Sequence, residues 1–168
     1  MKNNNKINVC VMGATGLIGQ AFVNILSSHP VFQIASLTGS KTGIGEKYRD
    51  AINWKLPLAF PDKAGDIIIS KPDKKSLGNR GIQVVFSALP SDIAGGIEDD
   101  LRNEGFFVFT NAGAHRYDTD VPILVPDINP GSINLIEEQG FPKSGFIITN
   151  PNCSTAGLAV ALAPLKRF

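Results

Sequence analysis

The sequence predicts an α/β fold with a doubly wound, mostly parallel sheet of Rossmann type. Three observations carry that prediction. Short apolar runs alternate with helix-like stretches along the chain. The runs are continuously apolar rather than alternating, as in strands covered on both faces. A glycine-rich turn joins the first run to the first helix-like stretch, and such a βα rhythm puts sites at the carboxyl ends of the strands.

The first strand is expected at Ile7–Met12, followed by Gly13-Ala14-Thr15-Gly16-Leu17-Ile18-Gly19 and a helix over Leu17–Ser28. The spacing G-x-x-G-x-x-G is a variant of the dinucleotide fingerprint. Gly13 permits the tight turn, Gly16 the close approach of a pyrophosphate, and Gly19 close packing of helix on strand. The phosphate then lies on the helix N-terminus, where unpaired N–H groups point at it. A plain tight βα turn is the alternative.

The second strand is expected at Phe32–Leu37, running into Thr38-Gly39-Ser40-Lys41-Thr42. An NAD site usually carries an acid here for the ribose 2′-hydroxyl, yet none occurs until Glu46. A hydroxyl and a lysine, Ser40 and Lys41, stand where a 2′-phosphate would lie, which favours NADP over a merely solvated polar loop. The long connection Gly39–Gly65 holds one short helical candidate, around Glu46–Ile52, and connections of that length are more often functional or partly mobile than inert. Further strands are expected at Asp66–Ser70, Val84–Ala88, Phe107–Thr110 and Phe146–Thr149. Further helices are expected at Ile93–Glu104, Ser132–Gln139 and Thr155–Leu165.

The last strand and helix bracket Asn150-Pro151-Asn152-Cys153-Ser154-Thr155, which places a cysteine at the end of a strand and in the first turn of a helix. Free N–H groups there favour negative charge and hence the thiolate. Asn152 and the first helical N–H groups are suited to an oxygen that gains charge when sulfur attacks a carbonyl. The competing reading is a structural cysteine beside a helix cap formed by Ser154 or Thr155.

Two other strand ends carry candidate groups. In Ser87-Ala88-Leu89-Pro90-Ser91, small residues let a nicotinamide ribose lie close to the backbone; Ser91 could equally cap a helix. In Asn111-Ala112-Gly113-Ala114-His115-Arg116, the arginine offers a planar fork for phosphate or carboxylate, or a surface ion pair with Asp118 or Asp120. His115 reads as a loop histidine rather than a catalytic base, and His29 is given no role. Cys10 lies inside the first strand and reads as core.

Composition narrows the function classes. With 168 residues, 43% of them hydrophobic, the chain can bury a full-sized core. A net charge of +1 argues against nucleic acid or an anionic membrane as the main partner. Neither a signal peptide nor a membrane span is expected from the residues around the asparagine-rich start. Two cysteines without metal-ligand spacing or a disulfide framework suit a reducing, cytoplasmic setting, with no metal site expected.

Together these residues resemble the aspartate-semialdehyde dehydrogenases, in the branch with a Pro-Asn-Cys-Ser-Thr cysteine loop. The resemblance runs in order through Gly13–Gly19, Ser40-Lys41, Ser87-Ala88-Leu89-Pro90, Asn111-Ala112 with Arg116, Val121-Pro122, Pro126-Asp127-Ile128-Asn129 and Asn150–Thr155. Lys41 stands where relatives often have arginine, and Asp127 where glutamate is more usual. The resemblance implies Cys153 as nucleophile, assisted by Asn152, and Arg116 with Asn111 as binders of substrate phosphate. It also implies NADP held by Gly13, Thr15, Gly16, Leu17, Ile18, Ser40, Lys41, Ser87 and Leu89. Residues 1–150 would form the NADP-binding domain, and 151–168 the cysteine loop and first helix of a second domain that supplies a histidine, further substrate residues and the dimer interface.

The activity implied is reversible, NADP-dependent conversion of 4-phospho-L-aspartate to L-aspartate 4-semialdehyde through a cysteine thioester, in the route to lysine, methionine and threonine. The partners implied are small molecules and, for the full-length protein, other copies of itself. This chain alone is expected to bind cofactor without turnover. An apolar stripe of Leu158, Ala161, Leu162, Leu165 and Phe168 is expected to seek cover. The alternatives are another acyl-phosphate or acyl-CoA reductase of the superfamily, such as the N-acetylglutamyl-phosphate type, or a nucleotide-binding module without catalysis.

Overall fold

The computed structural model describes residues 6–39, 43–71 and 74–167. The chain divides into two compact units, Met1–Leu89 and Pro90–Phe168.

In the first unit, β1 (Ile7–Met12) lies between β2 (Phe32–Thr38) and β4 (Val84–Ser87), with β3 (Ile69–Ser70) beyond β2. All three pairings are parallel, as the continuously apolar runs predict. Val9, Cys10 and Val11 are wholly buried in β1, which leaves no face for water. α1 (Leu17–Ser27) packs back on the sheet through Val23, Leu26 and Phe22, whose ring lies 5.6 Å from that of Phe86. Successive strands run to one side of β1 and then to the other, so a topological switch point lies between β1 and β4. The glycine turn leaves the carboxyl end of one of these strands, and Ser87-Ala88-Leu89 that of the other.

The connection after β2 is more ordered than the single expected helix suggests. It carries α2 (Tyr48–Ala51), inside the expected Glu46–Ile52, and a second short helix, α3 (Asp62–Gly65). Lys47 forms an antiparallel bridge with Ile68, the Tyr48 N–H donates to Ile67 O, and the Ile69 N–H donates to Glu46 O. That pairing occupies the beginning of the expected Asp66–Ser70 strand, and only Ile69–Ser70 join the parallel sheet. α4 (Lys74–Asn79) was not expected; a six-residue helix containing Gly78 has too little periodicity to announce itself.

In the second unit, α5 (Ser91–Asn103) begins two residues before the expected start, and β5 (Phe107–Thr110) pairs in parallel with β6 (Phe146–Thr149). Phe107 stacks on Phe146 at 4.7 Å, and Phe141 and Phe109 meet Phe146 edge-on. The expected helix at Ser132–Gln139 is a 3₁₀ helix over Pro130–Glu137. None of its residues is buried, so no apolar face rewards the wider α-helical turn. α6 (Cys153–Leu162) also starts two residues early and gives way to a 3₁₀ turn at Ala163–Arg167. Pro164 has no N–H to continue the α-helical ladder there. Phe168, the end of the expected apolar stripe, lies outside the described residues.

Gly13 and Gly19 test this account of the turn. Gly13 has φ +71°, and a Cβ there would lie 2.6 Å from the Ala88 carbonyl oxygen. A Cβ on Gly19 would overlap the Gly13 carbonyl, whereas one on Gly16 meets only that same oxygen at 3.5 Å. Gly19→Ala should therefore cost about 1–3 kcal/mol in denaturant unfolding without ligand. Gly16→Ala should change it by no more than about 0.5 kcal/mol. Equal losses in the two variants would refute the assignment of Gly19 to helix-on-turn packing.

Candidate active site

In the first unit, the candidate cofactor residues gather around the switch point. Gly16 is the N-cap residue of α1, and no side chain caps the helix. Leu17 and Ile18 are exposed apolar residues in its first turn, at 52% and 44%. Such a terminus offers N–H donors and a flat apolar flank, so these residues fit a dinucleotide. The methyl group of Thr15 would lie 3.2 Å from a Cβ at Gly39, which places Thr15 against the end of β2. Ser87 is completely buried opposite Met12 in the sheet, and Leu89, two residues on, is half-buried. Ser40 and Lys41 lie outside the described residues.

Buried side chains hold the turn from behind. The Tyr48 hydroxyl donates to Ala14 O at 2.8 Å; burial pushes its phenol pKa up, which keeps it an O–H donor. Gln20, also fully buried, donates to Thr15 O and Asn53 O and accepts from the Lys55 N–H. Sequence reasoning missed both. Gln20 offered one signal, a polar residue on the core side of an apolar helix; a lone tyrosine in a long connection offered none.

In the second unit, β6 delivers the cysteine loop. Asn152 is the N-cap of α6: its Oδ1 accepts from the Ser154 N–H at 3.0 Å, from the Ser154 hydroxyl at 2.7 Å and from Cys153 Sγ at 3.7 Å. The cap is therefore Asn152, not Ser154 or Thr155, and Cys153 becomes the first residue of the helix. Cys153 is exposed. Cys10 is buried, and desolvation pushes its thiol up to about 12 despite a hydrogen bond with Ser36.

Asn150 ties this loop to the one after β5. Its N–H donates to Thr110 O, and its Nδ2 donates to Asn111 Oδ1 at 2.7 Å. Arg116 donates from Nε to Asn150 O and from Nη2 to Asn111 O, each at 3.0 Å. Arg116, Asn111 and the strand that leads to Cys153 therefore form one hydrogen-bonded cluster. The ion pairs considered for Arg116 do not form: Asp118 pairs with His115, and Asp120 with Arg102. Ser91 does not cap α5 but accepts from the Gly113 N–H.

His115 lies in the loop, as expected, and is buried there. Its Nδ1 meets Asp118 at 2.7 Å, and its Nε2 lies 3.6 Å from Glu98, a fully buried carboxylate on α5. Thr110 donates to Glu98 at 2.7 Å and accepts from the Ala112 N–H. Glu98 was legible as an acid at i+4 from Ala94 on the buried face of its helix, a signal the sequence reading passed over. This network braces the loop behind Asn111 and Arg116.

Comparison with known proteins identifies the family. The family model described as semialdehyde dehydrogenase, NAD binding domain, matches residues 8–136. An aspartate-semialdehyde dehydrogenase of Archaeoglobus fulgidus is 42% identical over 95% of this chain and 46% of its own length. A malonyl CoA reductase (NADP) of Metallosphaera sedula is 33% identical over 95% of this chain and 44% of its own. The crystal structure of aspartate semialdehyde dehydrogenase with NADP from Candida albicans matches with a TM-score of 0.85 at 40% identity, over 97% of this chain and 47% of that one. The chain thus spans about half the length of the relatives it matches. A matching region that takes in the glycine turn and both strand-end loops as far as Arg116 shows that the chain belongs to the semialdehyde dehydrogenase family, through its NAD binding domain.

Proposed function

We propose that the whole protein is an aspartate-semialdehyde dehydrogenase: it reduces 4-phospho-L-aspartate to L-aspartate 4-semialdehyde, reversibly, with NADP as cofactor. The observation that carries this reading is the Asn150 cluster, which joins an exposed helix-start cysteine to an arginine fork. Thiol and phosphate-binding groups are the two demands of phosphorylating aldehyde oxidation. The cofactor would be held by Gly13, Thr15, Gly16, Leu17, Ile18 and Leu89, with Ser40 and Lys41 assigned to its 2′-phosphate and Ser87 supporting from within the sheet; when bound it would supply hydride acceptance and donation.

The remaining chemistry belongs to the chain. In the oxidative direction, the Cys153 thiolate adds to the aldehyde carbon, and the oxyanion so formed faces the Cys153 N–H at the start of α6 and the Asn152 Nδ2, since Asn152 already takes the Ser154 and Ala156 N–H groups. Oxidation of this hemithioacetal leaves a thioester on Sγ. A phosphate oxygen, oriented by Arg116 and Asn111, then attacks the acyl carbon, and sulfur leaves as thiolate. Biosynthesis, towards lysine, methionine and threonine, runs these steps in reverse. Turnover is assigned to the whole protein, a cytoplasmic homo-oligomer in this proposal, because the chain corresponds to about half of its relatives. By itself the chain binds cofactor. Leu158, Val160, Leu162 and Leu165 are 49–63% exposed along and just after α6, which supports further contacts in the whole protein.

The malonyl CoA reductase relative favours one second reading, in which the thioester is exchanged with coenzyme A rather than phosphate. A longer form containing this chain should reduce NADP+ with L-aspartate 4-semialdehyde only when phosphate is present, and Cys153→Ser should lower the rate by roughly 10³-fold or more. Turnover supported by coenzyme A and not by phosphate would replace the first reading with the second.

Two further outcomes are expected. Brief iodoacetamide treatment followed by mass spectrometry should label Cys153 well before Cys10, because one thiol is exposed and the other buried with its pKa raised. Preferential labelling of Cys10 would refute this placement. Lys41→Ala should weaken NADP+ binding by about 1–3 kcal/mol and leave NAD+ binding nearly unchanged in calorimetric titration. Equal effects on the two cofactors would remove Lys41 from the 2′-phosphate.

A further inference from the structure

Ala14 O and the Thr15 N–H belong to one peptide unit. In a planar trans peptide these two groups point in opposite directions, so fixing one aims the other. Ala14 is fully buried, its own N–H donates to Thr38 O, and its carbonyl is held by the Tyr48 hydroxyl at 2.8 Å. The Thr15 N–H therefore points away from the core, and it finds no acceptor among the described residues. Its neighbour differs: the Gly16 N–H is spent inside the turn on Gly13 O. Thr15 is thus the turn residue whose amide is aimed outward, directly before Gly16, the N-cap of α1.

Tyr48 is itself fixed. Its N–H donates to Ile67 O, its ring stacks 6.1 Å from that of Phe60, and it is fully buried. The hydroxyl has little freedom to leave the carbonyl. We infer that Tyr48 is a positioning residue for the cofactor: by holding the Ala14 carbonyl inward, it aims the Thr15 amide at the cofactor diphosphate. This rests on the dinucleotide reading of the turn, and it gives the long connection after β2 a role in binding rather than that of a passive link. Tyr48 touches no ligand atom in this scheme.

Tyr48→Phe removes only the hydroxyl. The test compares NADPH, which carries the diphosphate, with adenosine 2′-monophosphate, which lacks it, by calorimetric titration of both forms of the chain. The expected result is NADPH binding weakened by about 3- to 10-fold, the loss of one hydrogen-bonded arrangement, with adenosine 2′-monophosphate binding unchanged. A general loosening of the fold would weaken both ligands alike, and that outcome overturns the inference; so does unchanged NADPH binding. Failure of the unsubstituted chain to bind NADPH at all would instead overturn the dinucleotide reading, and this inference with it. Should Tyr48→Phe not fold, the unsubstituted chain titrated with inorganic pyrophosphate and followed by amide resonances decides the matter. The Thr15 amide should shift on binding, and a stationary Thr15 signal would refute the assignment.

Discussion

Where a buried parallel strand ends, its backbone groups lose their ladder partners and still cannot be left unpaired. This constraint shapes every candidate site in the chain. After β1, the carbonyls of Ala14 and Thr15 are taken by Tyr48 and Gln20. After β5, the Ala112 N–H is taken by the Thr110 hydroxyl, which in turn donates a hydrogen bond to Glu98. Beside β6, Gln139 donates to Asp120 O and Ile147 O and accepts from the Ile147 N–H. In each place a buried or half-buried polar side chain absorbs the groups left without a ladder partner. The groups facing outward are then left for chemistry.

The same constraint explains what could be read from the sequence. Elements set by local pattern were legible: β1, β5 and β6 lie at the expected residues, and α1 ends one residue early. The glycine turn was legible too, because φ +71° at Gly13 and the contact at Gly19 act within seven residues of chain. The supporting polar residues were not. Tyr48 reaches Ala14 across 34 positions, Gln20 reaches Lys55 across 35, and Asn150 reaches Asn111 across 39. No periodicity reports a partner at such separation. Asn150 was recognised as part of a motif, but its function as the tie between two loops emerged only from the fold.

The buried polar groups near β5 follow from the same economy of partners. Glu98 is wholly enclosed, a costly position for a carboxylate without hydrogen bonds and a nearby cationic or polar group. Thr110 and His115 meet that need, and Asp118 fixes the other side of the imidazole. The loop between Asn111 and Arg116 consequently has a polar interior of its own, independent of the aromatic cluster around Phe146. Its histidine belongs to that interior, which is why it takes no part in the proposed chemistry.

Asn150 makes four hydrogen bonds, through its amide, its carbonyl and its side chain, to Thr110, Asn111, Arg116 and Thr149. A residue so fully committed cannot rotate about its own backbone dihedrals without breaking several contacts together. The ends of β5 and β6 and the loop that carries Arg116 are therefore latched together at one residue. A shift of the chain at Asn150 is passed to the Arg116 guanidinium through the carbonyl it shares, and to Asn111 through the side-chain amide.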